Sequence, residues 1–134
     1  MTKGKNKVSK AKAKAWQVFS KYIRLRDTCK LGTECYTCGK YYPINRMQAG
    51  HYLAGHRAIH MFNEINVHAQ CPACNIYKHG DPITYREHLV RDYGEDIVKV
   101  LEEHRNDFKQ WKVYELEEMY QKYKSKLTEY EGTV

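Results

Sequence analysis

The sequence has no run of 18 or more apolar residues, so a membrane-spanning helix of ordinary length is excluded. Its start, MTKGKNKVSK, lacks the apolar stretch of a secretory signal. The expectation is therefore a cytoplasmic protein with no membrane partner. Acidic residues are nearly missing from the first thirty positions, where Asp27 alone faces ten lysines and arginines. No internal repeat is visible, and the lysine-rich leader is the one low-complexity tract. In a reducing compartment thiols stay reduced, so the five cysteines read as metal ligands before they read as disulfides.

What is present fits one small domain. The chain has 134 residues, 42% of them hydrophobic, 13% aromatic and 29% charged, enough for a modest core. The net charge of +7 is unevenly spread. Residues 1–30 carry +9; residues 31–80 hold four basic against two acidic residues; residues 81–134 hold nine against thirteen. A block of like charge stays solvated unless a polyanion neutralises it. DNA, duplex or branched, is the expected partner because each phosphate contact releases counterions; the alternative is a solubilising tail.

Residues 1–14 read as a flexible basic arm ahead of a domain spanning 15–134. From Ser9, a suitable N-cap, the run KAKAKAWQVFSKYIRLRD predicts an amphipathic helix. Trp16, Phe19, Tyr22 and Ile23 form its apolar face at spacings of three and four. Lys10, Lys12, Lys14, Lys21, Arg24 and Arg26 cover the remainder and are candidate phosphate contacts, together with Arg46, Arg57 and Lys78. Residues 29–80 predict brief strands and hairpins punctuated by glycine and proline, then two helical turns over PACNIYKH, stopped by Gly80. Residues 81–134 read as helices: one opened by Asp81-Pro82 and running to about Asp92, one over 95–105, and one from about Phe108 to Tyr130. The fold class is α+β and mainly helical.

The strongest chemical signal is Cys35-x-x-Cys38 followed by Cys71-x-x-Cys74. Each C-x-x-C is a tight turn that aims two sulfurs at one point, and tetrahedral zinc takes four such thiolates. Disulfides or an iron–sulfur cluster are the alternatives. Cys29 is left over and reads as a small structural residue rather than a fifth ligand. Between the knuckles lie AGHYLAGH and FNEINVHAQ, where His51, Asn66 and, just after Cys74, Asn75 are the polar residues of interest. Singly each has a plain structural reading: a surface histidine, a turn asparagine, and an asparagine near a helix start. Asn75 and His79 are four apart and would share a helical face.

In this order, framed by the knuckles, these residues resemble an HNH (ββα-metal) nuclease. The strings FSKYIRLRD, CYTCGK, AGHY, NVHAQCPACN and TYREHLVRDYG are similar to the NinG/Rap recombination-nuclease family of lambda-like phages, over most of the chain. The resemblance implies a small ββα-metal core over 29–80 braced by structural zinc, flanked by the basic helix and the C-terminal helices. It implies cleavage of branched DNA, Holliday junctions and D-loops, leaving 5′-phosphate and 3′-hydroxyl ends. His51 stands in the place of the general base, Asn66 in that of the loop asparagine, and Asn75 with His79 in that of the ligands of a catalytic Mg²⁺ or Mn²⁺. One departure is Gly50, where many HNH enzymes have Asp or His as a metal ligand; Glu64, His56, His60 and His68 are candidates to replace it. A zinc-stabilised DNA-binding accessory without catalysis is the alternative function.

The last helix carries Val113, Leu116, Tyr120, Tyr123, Leu127 and Tyr130 at alternating steps of three and four, a heptad seam. It predicts either a homodimer through this helix, which symmetric cutting of a junction would use, or packing on Trp16, Phe19 and Ile23 of the same chain.

Overall fold

Apolar residues at helical spacing need a partner surface, and the two ends of this chain supply one to each other. The computed structural model describes residues 3–54 and 59–132, with side chains over 6–54 and 59–130. It divides into two units, residues 1–22 with 110–134, and residues 23–109.

The first unit pairs the body of helix α1 (Lys3–Arg26) with helix α4 (Val113–Gly132). Phe19 meets Tyr123 edge-on at 4.8 Å between ring centroids, and Tyr22 packs on Tyr123 and Tyr130. Leu116, Tyr123 and Leu127 are buried in this contact, as are Ala15, Phe19 and Tyr22. Leu116, Tyr123 and Leu127 of the heptad seam thus pack within their own chain, the intrachain alternative, while Tyr130 stays exposed. Two boundaries differ from expectation. α1 begins at Lys3, so the residues expected to form a flexible arm are helical from that point and Ser9 is not a cap. Alternating lysine and alanine after Ser9 favours this, because both are good helix formers. The last helix begins at Val113 rather than near Phe108.

The second unit holds two small antiparallel sheets and two helices. Strands β1 (Thr28–Cys29), β2 (Gly32–Glu34) and β3 (Tyr41–Tyr42) form one sheet in that order. Strands β4 (Gln48–His51) and β5 (Val67–Gln70) form a hairpin in which Gln48 faces Gln70 and Gly50 faces His68. A short helical segment follows from Pro72, its Ala73–Tyr77 stretch wound as a π-turn. Then come α2 (Pro82–Tyr93) and α3 (Glu95–Glu103), separated at Gly94. The architecture is mixed α+β and mainly helical, as the sequence predicts.

Two buried clusters organise this unit. Cys35, Met47, Ala69, Cys71 and Cys74 form one, with Tyr42 against it. Tyr85, Leu89 and Val98 form the other, with Tyr36, Tyr52, Ile65 and Val90 packed around them. Asp81 does occupy the position before α2, but its φ of +47° is left-handed and its side chain makes no cap bond. Among the described residues no helix is long and apolar enough to cross a membrane.

Candidate metal centre and the hairpin beside it

The first knuckle closes because Cys35 N–H donates to Lys40 O at 2.8 Å and Gly39 N–H donates back to Cys35 O at 2.9 Å. Gly39 sits at φ +74°, where a side chain would be strained. The second knuckle bridges the end of β5 and the helical segment, with Asn75 N–H on Cys71 O at 2.9 Å. A backbone bond from Tyr36 N–H to Ala69 O, 2.8 Å, draws the two together. All four sulfurs then lie within 4.8 Å of one another, with Cys38 and Cys71 Sγ 3.9 Å apart. A zinc tetrahedron with bonds of about 2.3 Å sets its sulfurs about 3.8 Å apart, so the donor set fits.

Electrostatics points the same way. Burial opposes ionisation of Cys35, yet the N–H groups of Cys38 and Cys71 and the Thr37 hydroxyl bring its thiol down to about 6. Burial, with the Cys35 sulfur beside it, pushes Cys38 up to about 12. Charge crowded among four sulfurs in this way is relieved by a cation at their centre. Among the described residues, no other group of three or more His, Cys, Asp or Glu side chains converges like this. Cys29 is exposed and outside the group, its sulfur accepting Leu31 N–H at 3.4 Å.

His51 ends β4. Its Nε2 lies 3.2 Å from Met61 O. A carbonyl only accepts, so Nε2 carries a proton, and in the neutral ring the lone pair is then on Nδ1. Met61 belongs to a 3₁₀ turn, Ile59–Phe62, in the segment joining β4 to β5. Asn66 ties that segment together. It is fully buried; its Oδ1 accepts Leu53 N–H at 2.8 Å, and its Nδ2 donates to Leu53 O at 2.9 Å and His60 O at 3.1 Å. Asn66 thereby fixes both ends of the loop that presents the Met61 carbonyl to His51.

Asn75 lies on the helical segment across from β4, its Nδ2 donating to Gln48 Oε1 at 2.7 Å. Its Oδ1 is directed at Gly50: a Cβ built there would come within 3.0 Å of it. His79 does not share the helical face expected of it. The helix ends at Tyr77, and His79 follows in an exposed turn at φ +52°, with Gly80 at +86° and Asp81 at +47°. Gly80 N–H closes the turn on Cys74 O at 2.8 Å, which satisfies a helix-end carbonyl at the cost of the second helical turn. The replacement ligands fare no better. His60 is buried with Nε2 on His104 O, His68 is buried against Tyr36, Tyr85 and Tyr93, and Glu64 uses its backbone carbonyl to hold Arg26. His56 lies outside the described residues.

The basic residues separate into two kinds. Lys10, Lys14 and Lys21 are exposed on α1 and Lys12 half-buried, with Lys14 Nζ 4.2 Å from the Tyr120 ring centre. Lys78 and Arg46 are exposed, Arg24 is partly buried, and Arg57 lies outside the described residues. Arg26 is a correction to its reading as a phosphate contact. Its guanidinium donates to Glu64 O and Val67 O, both 2.9 Å, and pairs with Asp27, which in turn accepts Ala69 N–H at 2.8 Å. It staples the end of α1 to β5.

Two site residues were not anticipated. Tyr85, on α2, donates its hydroxyl to Gly50 O at 2.7 Å from the buried core. Gln70 is fully buried, and its Nε2 donates to Thr37 Oγ1 and Gly80 O at 3.1 and 2.9 Å. Its signal was Gly50 on the neighbouring strand, since a strand-interior glycine marks the close approach of another group.

Fold and site together define a mixed α+β protein with a cluster of four cysteines that could hold a metal ion. The chain matches the family model described as "NinG: Bacteriophage Lambda NinG protein" over residues 2–132. It is 33% identical to Protein ninG of Escherichia phage 933W over 114 residues, 84% of this chain and 54% of that relative. It is 32% identical to Protein ninG of Escherichia phage lambda over 114 residues, 84% and 53%, and 31% identical to Protein ninG of Salmonella phage P22 over 116 residues, 84% and 54%. The chain belongs to the NinG family, and spans about half the length of these curated relatives. No solved structure matches it.

Proposed function

We propose that this chain is a zinc-braced HNH-type nuclease module that hydrolyses phosphodiester bonds in branched DNA during phage recombination. The observation that carries the reading is the contact between His51 Nε2 and the Met61 carbonyl. An imidazole whose Nε2–H is held by a backbone carbonyl presents Nδ1 as a proton acceptor, and the holding carbonyl belongs to a loop locked by Asn66. In the reaction, water attacks phosphorus in line, its proton passes to His51 Nδ1, and the bond from phosphorus to the 3′ oxygen breaks, the departing 3′ oxygen taking a proton from solvent water. The products carry 5′-phosphate and 3′-hydroxyl ends. Asn66 acts through position only. Asn75, with substrate phosphate oxygens, would hold a Mg²⁺ or Mn²⁺ ion, which when bound supplies charge for the pentacoordinate phosphorus and the leaving oxygen. Zinc at Cys35, Cys38, Cys71 and Cys74 is structural, because four thiolates leave no open coordination position. Lys10, Lys12, Lys14, Lys21 and Lys78 are proposed backbone contacts, together with Arg24 and Arg57; the host cytoplasm is the proposed compartment.

The test is a labelled four-way junction incubated with Mg²⁺ or Mn²⁺. Wild type is expected to cut; His51→Ala is expected to bind the junction with unchanged affinity and not cut. Equal loss of binding and cleavage would assign His51 a structural role instead. The second reading, a zinc-stabilised DNA-binding accessory, is favoured by the exposed, non-helical place of His79 and by the missing side chain at Gly50. Binding without cleavage by wild type under both metals would select it.

A further inference from the structure

The carbonyl oxygen of the Gln70 side chain, on β5 of the hairpin, is a buried polar atom that folding leaves without a hydrogen-bond partner. Gln70 Oε1 is fully buried and has no hydrogen-bond partner, although buried acceptors are nearly always satisfied. The amide cannot be turned round to cure this. Its nitrogen faces Gly80 O at 2.9 Å, and a carbonyl there accepts only from N–H. The oxygen is therefore fixed on the other side, against Gly50. A Cβ built on Gly50 would lie 1.9 Å from Gln70 Oε1 and 3.0 Å from Asn75 Oδ1. Two amide oxygens, one from β5 and one from the helical segment, converge on the same face of the residue that precedes His51.

We propose that Gln70 Oε1 is a ligand of a hard divalent cation, shared with Asn75 Oδ1 at Gly50. This inference rests on the nuclease reading and supplies the donor that glycine at position 50 lacks. Amide oxygens suit Mg²⁺ and Mn²⁺, which prefer oxygen donors and retain several waters. One arrangement accounts for two otherwise separate facts. Residue 50 has no side chain because the Gln70 amide fills its place, and the Gln70 oxygen is left without a donor because its partner is a cation. The anchoring bonds to Thr37 and Gly80 preset the amide, so little reorganisation accompanies binding. Both donors are neutral, so the free protein binds the ion weakly, and substrate phosphate tightens it.

The experiment uses the full, zinc-loaded chain, labelled with ¹⁵N, and Mn²⁺ as the probe. Paramagnetic broadening of side-chain amide resonances is followed as Mn²⁺ is added, with Gln17 and Gln121 as internal references. The Gln70 and Asn75 amides are expected to broaden first. Gln70→Met, similar in length but without the oxygen, is expected to weaken Mn²⁺ binding at least tenfold by electron paramagnetic resonance while retaining one zinc per chain. Unbroadened Gln70, or wild-type Mn²⁺ affinity in a zinc-loaded Gln70→Met, overturns the assignment. Should Gln70→Met fail to hold zinc, the wild-type broadening pattern decides alone. Junction cleavage measured in parallel separates the two readings. Cleavage without Gln70 broadening removes this ligand and leaves the nuclease; selective broadening without cleavage keeps the cation site and removes the nuclease.

Discussion

Replacing Asn66 by alanine removes three hydrogen bonds in one step, and the structure lets the cost be worked out bond by bond. Two go to the Leu53 backbone, which is partly exposed, so water recovers part of each; their loss costs about 0.5–1.5 kcal/mol apiece. The third goes to His60 O in a fully buried setting, where an orphaned acceptor costs about 1–3 kcal/mol. The total is about 4 kcal/mol, a large share of the roughly 5–15 kcal/mol available to a domain. It corresponds to a fall in melting temperature of about 15–30 °C for a unit of this size. The destabilisation should be local first. With its loop released, Met61 O no longer fixes the His51 tautomer, so junction cleavage should fall more than tenfold at temperatures where the variant is still folded and zinc-loaded. Thermal melting, zinc content and single-turnover cleavage on the same preparation measure all three. A variant that melts within 1 °C of wild type and cleaves at the same rate would refute the assignment of Asn66 as the clamp.

Cys74→Ser should lose zinc and unfold the second unit, because structural zinc contributes on the order of 10 kcal/mol to folding; a zinc-free variant with a cooperative melt would contradict it. Gly50→Ala should cost about 2 kcal/mol, since the new Cβ at 1.9 Å from Gln70 Oε1 forces that amide off its bonds to Thr37 and Gly80; urea midpoints matching wild type would show that the site yields freely. His68 is held neutral, its pKa brought down to about 3 by burial and then by the Arg26 charge. The unfolded chain therefore takes up a proton near pH 6.5 that the folded chain refuses. The contribution of His68 is fully present above that pH and declines as the pH falls toward 3, by about 2 kcal/mol between pH 7.5 and 5. Urea titrations across that range with zinc in excess measure the slope, and a flat profile would contradict a neutral buried His68.

Much of the site was legible as spacing, because short-range geometry decides it. Two residues between cysteines dictate a turn that points both sulfurs one way, so Cys35, Cys38, Cys71 and Cys74 needed only a fold that joins their turns. The helices likewise followed from apolar period, and the packing of α1 on α4 was one of two partners that the heptad seam allowed. What the linear pattern held open was which surface the seam meets, since a stripe of Leu116, Tyr123 and Leu127 is equally complementary to a second copy.

Sequence by itself determined the element types, the two C-x-x-C turns and the family resemblance, all of which depend on residues close together in the chain. Tertiary structure alone decided which polar atoms were spent in folding. Arg26 reads as one more cation on a basic helix until Glu64, Val67 and Asp27, up to 41 residues away, are seen to hold every edge of its guanidinium. His79 reads as the partner of Asn75 until the carbonyl of Cys74 takes Gly80 N–H and ends the helix beneath it. Gln70 reads as an ordinary strand residue until the absence of a side chain at Gly50, on the opposite strand, turns its oxygen into the candidate ligand. In each case the deciding contact is a hydrogen bond or a steric limit between distant residues, and local propensity has no means of recording it.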